Sequence, residues 1–156
     1  MILGLDPGLA NCGYALLKDK KIVLSGTWNT AVDHDMPGSE DLYSRCLVLT
    51  QRIGELIRDN KELGMIATET FVGRSPSAST IKTSMAIGWI QATATYGLGK
   101  PIIQFDPQQW RRILGMEKSA SKKDVQEFVF KELKHQCITE HEADAICIAL
   151  AGGKHV

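Results

Sequence analysis

The chain has no CxxC pair, no long apolar run, no internal repeat and no low-complexity stretch. Its four cysteines, Cys12, Cys46, Cys137 and Cys147, read as the reduced thiols of a cytoplasmic protein. A zinc site built on Cys137, His141 and Cys147 is disfavoured, because His141 and Cys147 are six residues apart and fall on different faces of a helix. No apolar segment approaches the length of a membrane span. Met1 leads directly into a short apolar run that Asp6 interrupts, with no basic region before it, so no signal peptide is expected. With 156 residues, 44% hydrophobic and 23% charged, the expectation is one globular domain over 1–156 with a sizeable core.

Net charge is zero, which by itself argues against a nucleic-acid partner. Its distribution argues the other way. Residues 70–123 carry eight basic side chains (Arg74, Lys82, Lys100, Arg111, Arg112, Lys118, Lys122, Lys123) and two acidic ones, Asp106 and Glu117. The flanking segments are both net negative. Binding to a phosphate backbone depends on local patches, so a basic middle third matters more than the total.

The apolar pattern orders the chain as β-β-β-α-β-α-β-α-α-α. Residues 1–6, YALLK and IVLSGTWNT read as strands, with Lys18–Lys21 as the hairpin turn. Leu42, Cys46, Leu49, Ile53, Leu56 and Ile57 repeat at helical spacing from about Ser39 to Asn60. GMIATETF is a fourth strand, Ser79 to Tyr96 a second helix and KPIIQF a fifth strand. Asp106-Pro107 starts a short helix, and Ser121 caps another over Lys122–Lys134. The last helix is expected from Glu140 to about Ala151. Three strands followed by alternating strands and helices predict an α/β fold, a five-stranded mixed sheet flanked by helices.

Two strands end in a carboxylate, Asp6 and Glu69. In the last helix, Thr139 and Glu142 have the spacing of a capping box, and Glu140 suits the helix dipole. His141 and Asp144 have no such structural reason. They lie three apart on the face that continues through Ile148 into the core. One buried acid is explained by a backbone hydrogen bond; several that converge would repel one another. A divalent cation between them removes the conflict, and carboxylate oxygens suit Mg²⁺ or Mn²⁺. Two such ions about 4 Å apart are a general device for phosphodiester hydrolysis. The basic middle third would then hold the phosphate backbone.

ILGLDPGLANCGYALL, ATETFV and EHEADAICIAL together resemble the RuvC-type Holliday-junction resolvases, over nearly the whole chain. The resemblance implies a ribonuclease H-like fold, a homodimer, four-way DNA junctions as substrate, and metal-binding catalytic positions at Asp6, Glu69, His141 and Asp144. The first position of the last pair is Asp in some members and His in others. The family's catalytic lysine matches Lys122 in SASKKDVQEFV, with Lys123 beside it. A second basic position falls nearest Trp110 in QQWRRILG, so Arg111 or Arg112 takes that role. For the family's junction-stacking aromatic, strict alignment gives Val72, with Phe71 one place earlier. Phe71, Arg74, Lys82, Arg111, Arg112, Lys118 and Lys123 are the expected DNA contacts.

LDPGLANCGYAL is also similar to the phosphate loop of actin-like ATPases. Those need two such domains around a nucleotide, and this chain is too short. A non-catalytic junction binder is disfavoured because all four metal positions are filled. A related nuclease acting on other branched DNA, or on RNA, is the third alternative. In the second helix Ile81, Met85, Gly88, Ala92 and Tyr96 form one stripe, and Ile87, Ile90 and Ala94 another. Two apolar faces allow one to meet the sheet and the other a second copy of the chain.

Overall fold

A computed structural model describes residues 1–70, 78–99 and 102–155, without the side chains of 78, 79, 97 and 98. The expected order of elements is observed: β1 (Ile2–Asp6), β2 (Asn11–Lys18), β3 (Lys21–Asn29), α1 (Gly38–Asp59), β4 (Met65–Glu69), α2 (Ala78–Leu98), β5 (Ile102–Phe105), α3 (Pro107–Leu114), α4 (Lys122–Leu133) and α5 (Glu140–His155). The strands lie in the order β3-β2-β1-β4-β5. β1, β2 and β3 form an antiparallel meander, and β4 and β5 add parallel to β1. The β2–β3 turn places Asp19 and Lys20 at φ 49° and 62°. A tight hairpin that follows the sheet's twist demands positive φ at both central residues, and here it is met without glycine.

Side-chain alternation sorts the strands onto two faces. Leu3, Leu5, Cys12, Leu16 and Ile66 pack against Leu49 and Ile53 of α1 and Ile90 and Ala94 of α2. Ala15, Leu17 and Ala67 pack on the opposite face with Trp110, Val125, Val129 and the buried side of α5. On α2 the stripe of Ile87, Ile90 and Ala94 is buried, while Ile81, Met85 and Tyr96 of the other stripe are exposed.

The helix termini follow their sequence signals. Asp106 and Gln109 close a capping box at α3 with Pro107 in the first turn, and Gly115 ends the helix at φ 79°. Ser121 and Asp124 close another at α4. Two expectations are corrected. The Thr139–Glu142 box is only half formed: Thr139 Oγ1 accepts from the Glu142 amide at 3.0 Å, but the Glu142 carboxylate turns to Ile138, Ser25 and His135. α5 also does not stop near Ala151. It runs through Gly152-Gly153 to His155, because a bare Gly152 backbone is what fits against the Ala67 side chain of the sheet.

A similar close approach positions the whole of α5. A Cβ on Gly4 would overlap the Ala145 carbonyl oxygen, and one on Gly13 would overlap the His141 carbonyl oxygen. The helix therefore rests directly on the β1 and β2 backbones. Among the described residues no helix is long and apolar enough to cross a membrane.

Candidate active site

The register of β1 against β4 builds the site. Ile2, Leu3, Gly4 and Leu5 pair with Met65, Ile66, Ala67 and Thr68. One residue further along stand Asp6 and Glu69, in step with Gly4 and Ala67 and so on the α5 face of the sheet. Both strands run parallel, so both acids emerge at the same edge. Asp6 also pairs with Gly13 of β2, the glycine on which His141 rests. The first two turns of α5 thus hang over the two strand ends.

His141 Nδ1 donates to Asp6 Oδ2 at 2.8 Å. This bond, helped by the negative charge of Asp6, raises the His141 pKa above its usual value against the opposing effect of partial burial. Asp144 and Glu69 are half-buried. Burial, reinforced by the charge of Asp6 on each of them, pushes Asp144 to about 7 and Glu69 to about 7. The charge of Asp144 raises Glu69 further. Two elements oppose this. Trp110 Nε1 donates to Glu69 Oε2 at 2.7 Å. The guanidinium of Arg111, lying over the Trp110 ring 4.8 Å from its centroid, lowers both Glu69 and Asp144.

Three carboxylates and an imidazole form an oxygen-rich donor set that suits a hard divalent cation. The charge of Asp6 disfavours ionisation of both Glu69 and Asp144, and that of Asp144 disfavours ionisation of Glu69, a conflict that cation charge removes. Their oxygens are not gathered into one tight cage. Among the described residues, the one group of three His, Cys, Asp or Glu ligand atoms all within 4.8 Å of each other lies elsewhere, at His135, Cys137 and Glu142.

The remaining expected residues are distributed around this centre. Lys122 sits at the exposed start of α4, and its ammonium contacts Glu140 Oε1, whose carboxylate also lies 3.8 Å from His141 Nε2. Glu140 is therefore a link between Lys122 and the site as well as a first-turn acid. Lys82 lines an open cleft of about 520 Å³ with Gly8, Asn11, Arg45, Thr83 and His141. A smaller adjoining hollow of about 220 Å³ is floored by Asp6, Pro7, Glu69 and Thr70. Arg111 is half-buried, and its Nε has no hydrogen-bond partner among the described residues. Arg112, Lys118 and Lys123 are exposed on α3, the α3–α4 connection and α4. Phe71 and Arg74 lie outside the described residues.

Sequence reasoning missed Gly13, Trp110 as a partner of Glu69, and Arg45 in the cleft. Trp110 carried a usable signal, since a buried indole needs an acceptor for its N–H. Arg45 did not. It donates to Asp41 at 3.3 Å within α1 and to Thr30 Oγ1 at 3.0 Å, and only the second of these contacts crosses elements.

The family model for crossover junction endodeoxyribonuclease RuvC matches residues 2–152. The chain belongs to the RuvC family. A crossover junction endodeoxyribonuclease RuvC of Synechococcus sp. strain WH7803 is 31% identical, over 97% of this chain and 96% of that protein. Thermus thermophilus RuvC superposes with a TM-score of 0.76 at 21% identity, covering 99% of this chain and 93% of that one. The same protein in complex with Holliday junction substrate gives 0.80 at 22% identity, covering 99% and 92%. The fold is accordingly ribonuclease H-like, as the resemblance implied. Nucleases of this family depend on divalent metal.

Proposed function

We propose that this chain is a structure-selective endonuclease that resolves four-way DNA junctions by metal-dependent hydrolysis of phosphodiester bonds. One observation carries the reading: Asp6 and Glu69 end adjacent parallel strands beneath His141 and Asp144, with Glu69 and Asp144 both driven to about 7 by burial and the charge of Asp6. Such an arrangement is costly unless it serves a cation.

Asp6, Glu69, Asp144 and His141 would hold Mg²⁺ or Mn²⁺, two ions per site, supplying an activated water and charge to stabilise the leaving oxygen. Trp110 fixes the orientation of Glu69, and the Asp6 contact fixes which His141 nitrogen faces outward. Lys122 stands at the rim, where a cation counters the negative charge that builds on the phosphate in the transition state. Lys82 in the cleft, with Arg74, Arg111, Arg112, Lys118 and Lys123, would contact phosphates, and Phe71 would stack at the junction. The protein would work as a homodimer, because symmetric resolution needs two nicks; the exposed Ile81, Met85 and Tyr96 offer the contact face. The setting is the cytoplasm, and residues 1–156 act as one nuclease domain.

The test is cleavage of synthetic four-way, three-way and linear duplexes by pure protein with and without Mg²⁺. Paired nicks at symmetric positions of the four-way junction, dependent on Mg²⁺, are expected. Equal cleavage of three-way or RNA-containing branches would assign the chain a broader branched substrate. Binding of the junction without cleavage in Mg²⁺, or in Mn²⁺ put in its place, would refute the nuclease reading.

A further inference from the structure

At the first turn of α5, apart from the active-site acids, three ligand-bearing side chains meet. Lys134 ends α4 in the left-handed conformation at φ 56°, which turns the chain back across β3. The connection that follows carries His135 and Cys137, and the helix it enters carries Glu142. His135 Nε2 lies 3.0 Å from Glu142 Oε1, and both are within 4.8 Å of Cys137 Sγ. Ser25 of β3 closes a fourth side: its Oγ is 2.7 Å from Glu142 Oε1 and 3.4 Å from His135 Nε2.

We infer that His135, Cys137 and Glu142 form a binding site for a borderline-soft divalent ion, zinc by its chemistry, separate from the oxygen-rich centre of Asp6, Glu69 and Asp144. Nitrogen, thiolate and carboxylate around one point are a zinc donor set, with bonds of about 2.0–2.3 Å. A tetrahedron with those bonds has edges of roughly 3.3–3.7 Å. The His135–Glu142 separation of 3.0 Å lies just below that range and the Cys137 Sγ separations are no more than 4.8 Å, so small side-chain rotations close the site around an ion. Glu142 is nearly fully buried, and its two oxygens divide the work. Oε2 accepts from the Ile138 amide at 2.8 Å and keeps that role. Oε1 exchanges the His135 N–H for the ion. Ser25 Oγ borders the remaining vertex, which it or a water molecule completes.

Binding fastens the α4–α5 connection to the helix turn that presents His141, the residue preceding Glu142. The ion therefore has a structural part, bracing the first turn of α5 against β3 and the α4–α5 connection. The pattern is invisible to a motif search: H-x-C is followed by a ligand from the next helix, and the cysteine, not the helix-borne histidine, is the partner.

Metal-free full-length protein titrated with Co²⁺ in excess Mg²⁺ tests this. A thiolate-to-cobalt charge-transfer absorption should appear with one equivalent and be displaced by Zn²⁺. It should vanish in Cys137→Ser, weaken by about tenfold or more in His135→Ala, and persist in Asp6→Asn, which alters only the other centre. Zn²⁺ at a hundred times its Kd should raise the Tm of the wild type by roughly 5–10 °C and leave that of Cys137→Ser unchanged. Zn²⁺ should also slow alkylation of Cys137 in the unmodified chain by about tenfold or more. This last measurement needs no variant, so a failure of Cys137→Ser to fold does not blunt the test. Absence of the charge-transfer band in the wild type, its survival in Cys137→Ser, or undiminished alkylation of Cys137 in Zn²⁺ overturns the site.

Discussion

His141 Nδ1 sits 2.8 Å from Asp6 Oδ2, so in the absence of a cation the two form an ion pair across 135 residues of chain. The pKa of His141 is raised by that bond. An imidazole whose folded pKa exceeds its unfolded value of about 6.5 contributes its full stabilisation below pH 6.5 and loses it as pH rises through the folded value. In chelator, the Tm gap between wild type and His141→Gln is therefore expected to be largest at acidic pH and to shrink towards alkaline pH. For His141 to bind the cation through Nε2, that nitrogen must first lose its proton. Cleavage should decline as pH falls through the histidine range, and in His141→Asp this acid limb should move downward and be accompanied by a shift of preference from Mn²⁺ towards Mg²⁺. Rate against pH in each ion checks this; a His141→Gln protein with the wild-type profile would leave the histidine merely structural.

Glu69 carries the opposite sign. A buried carboxyl held near 7 is protonated in the fold at a pH where the unfolded chain, with a value of about 4.3, has already ionised. Stability is thus lost as pH rises from about 4 to about 7. Glu69→Gln, which keeps an acceptor for Trp110, should raise the Tm of chelated protein at pH 8 and leave it unchanged at pH 4. The same variant should lose cleavage by roughly a thousandfold, equivalent to ~4 kcal/mol. Near wild-type turnover in Glu69→Gln would remove Glu69 from the centre. Asp6→Asn should also abolish cleavage, with junction binding retained, and a smaller net change in stability because the pair with His141 is lost as charge crowding is relieved.

Trp110 is fully buried, with its one polar atom on Glu69. Trp110→Phe keeps the apolar packing and removes that donor. Metal affinity or turnover should fall by about 10–100-fold, the range for loss of a group that orients a ligand. Calorimetric titration with Mn²⁺ separates the two, and an unchanged affinity together with unchanged turnover would reduce Trp110 to packing.

Gly13 and Gly4 offer a comparison within one interface. An alanine at either must push α5 off the sheet, with a cost of about 1–3 kcal/mol and a Tm loss of about 5 °C. Gly13 supports His141 directly, whereas Gly4 supports Ala145. Gly13→Ala should therefore depress cleavage more than Gly4→Ala at equal loss of Tm. Equal cleavage in the two would show that α5 settles back.

Lys122 and Lys123 are neighbours with different surroundings. Lys122 faces Glu140 at the rim of the site. Lys122→Ala should lower turnover with little change in junction affinity. Lys123→Ala should lower affinity for every DNA shape and reduce the salt slope by about one unit, with turnover of bound substrate unchanged. Affinity and slope measured over a salt series decide whether Lys123 touches phosphate at all.

Strand ends marked by Asp6 and Glu69, the two capping signals at Asp106 and Ser121, and the order of all ten elements were legible in the sequence, because periodicity, turns and caps are local properties. That His141 and Asp144 share one helix face followed equally from spacing alone. The family was legible too, since its motifs are contiguous stretches.

Other features depended on contacts between segments far apart in the chain. Side-chain parity puts Asp6 on one face of β1, but only the β1–β4 register sets Glu69 beside it. Glu142 read as half of a capping box, and the fold reassigned it to Ser25, His135 and Ile138, because a buried carboxylate takes whatever donors the neighbouring strand and loop bring. The last helix read as ending near Ala151, and in the fold it continues through Gly152, which lies against Ala67, to His155. The sequence determined which groups could do chemistry and on which elements they stand. The distances between those groups, and with them the pKa values near 7, were decided only when α5 settled onto bare glycine backbone, since packing geometry is shared among segments that no local pattern records.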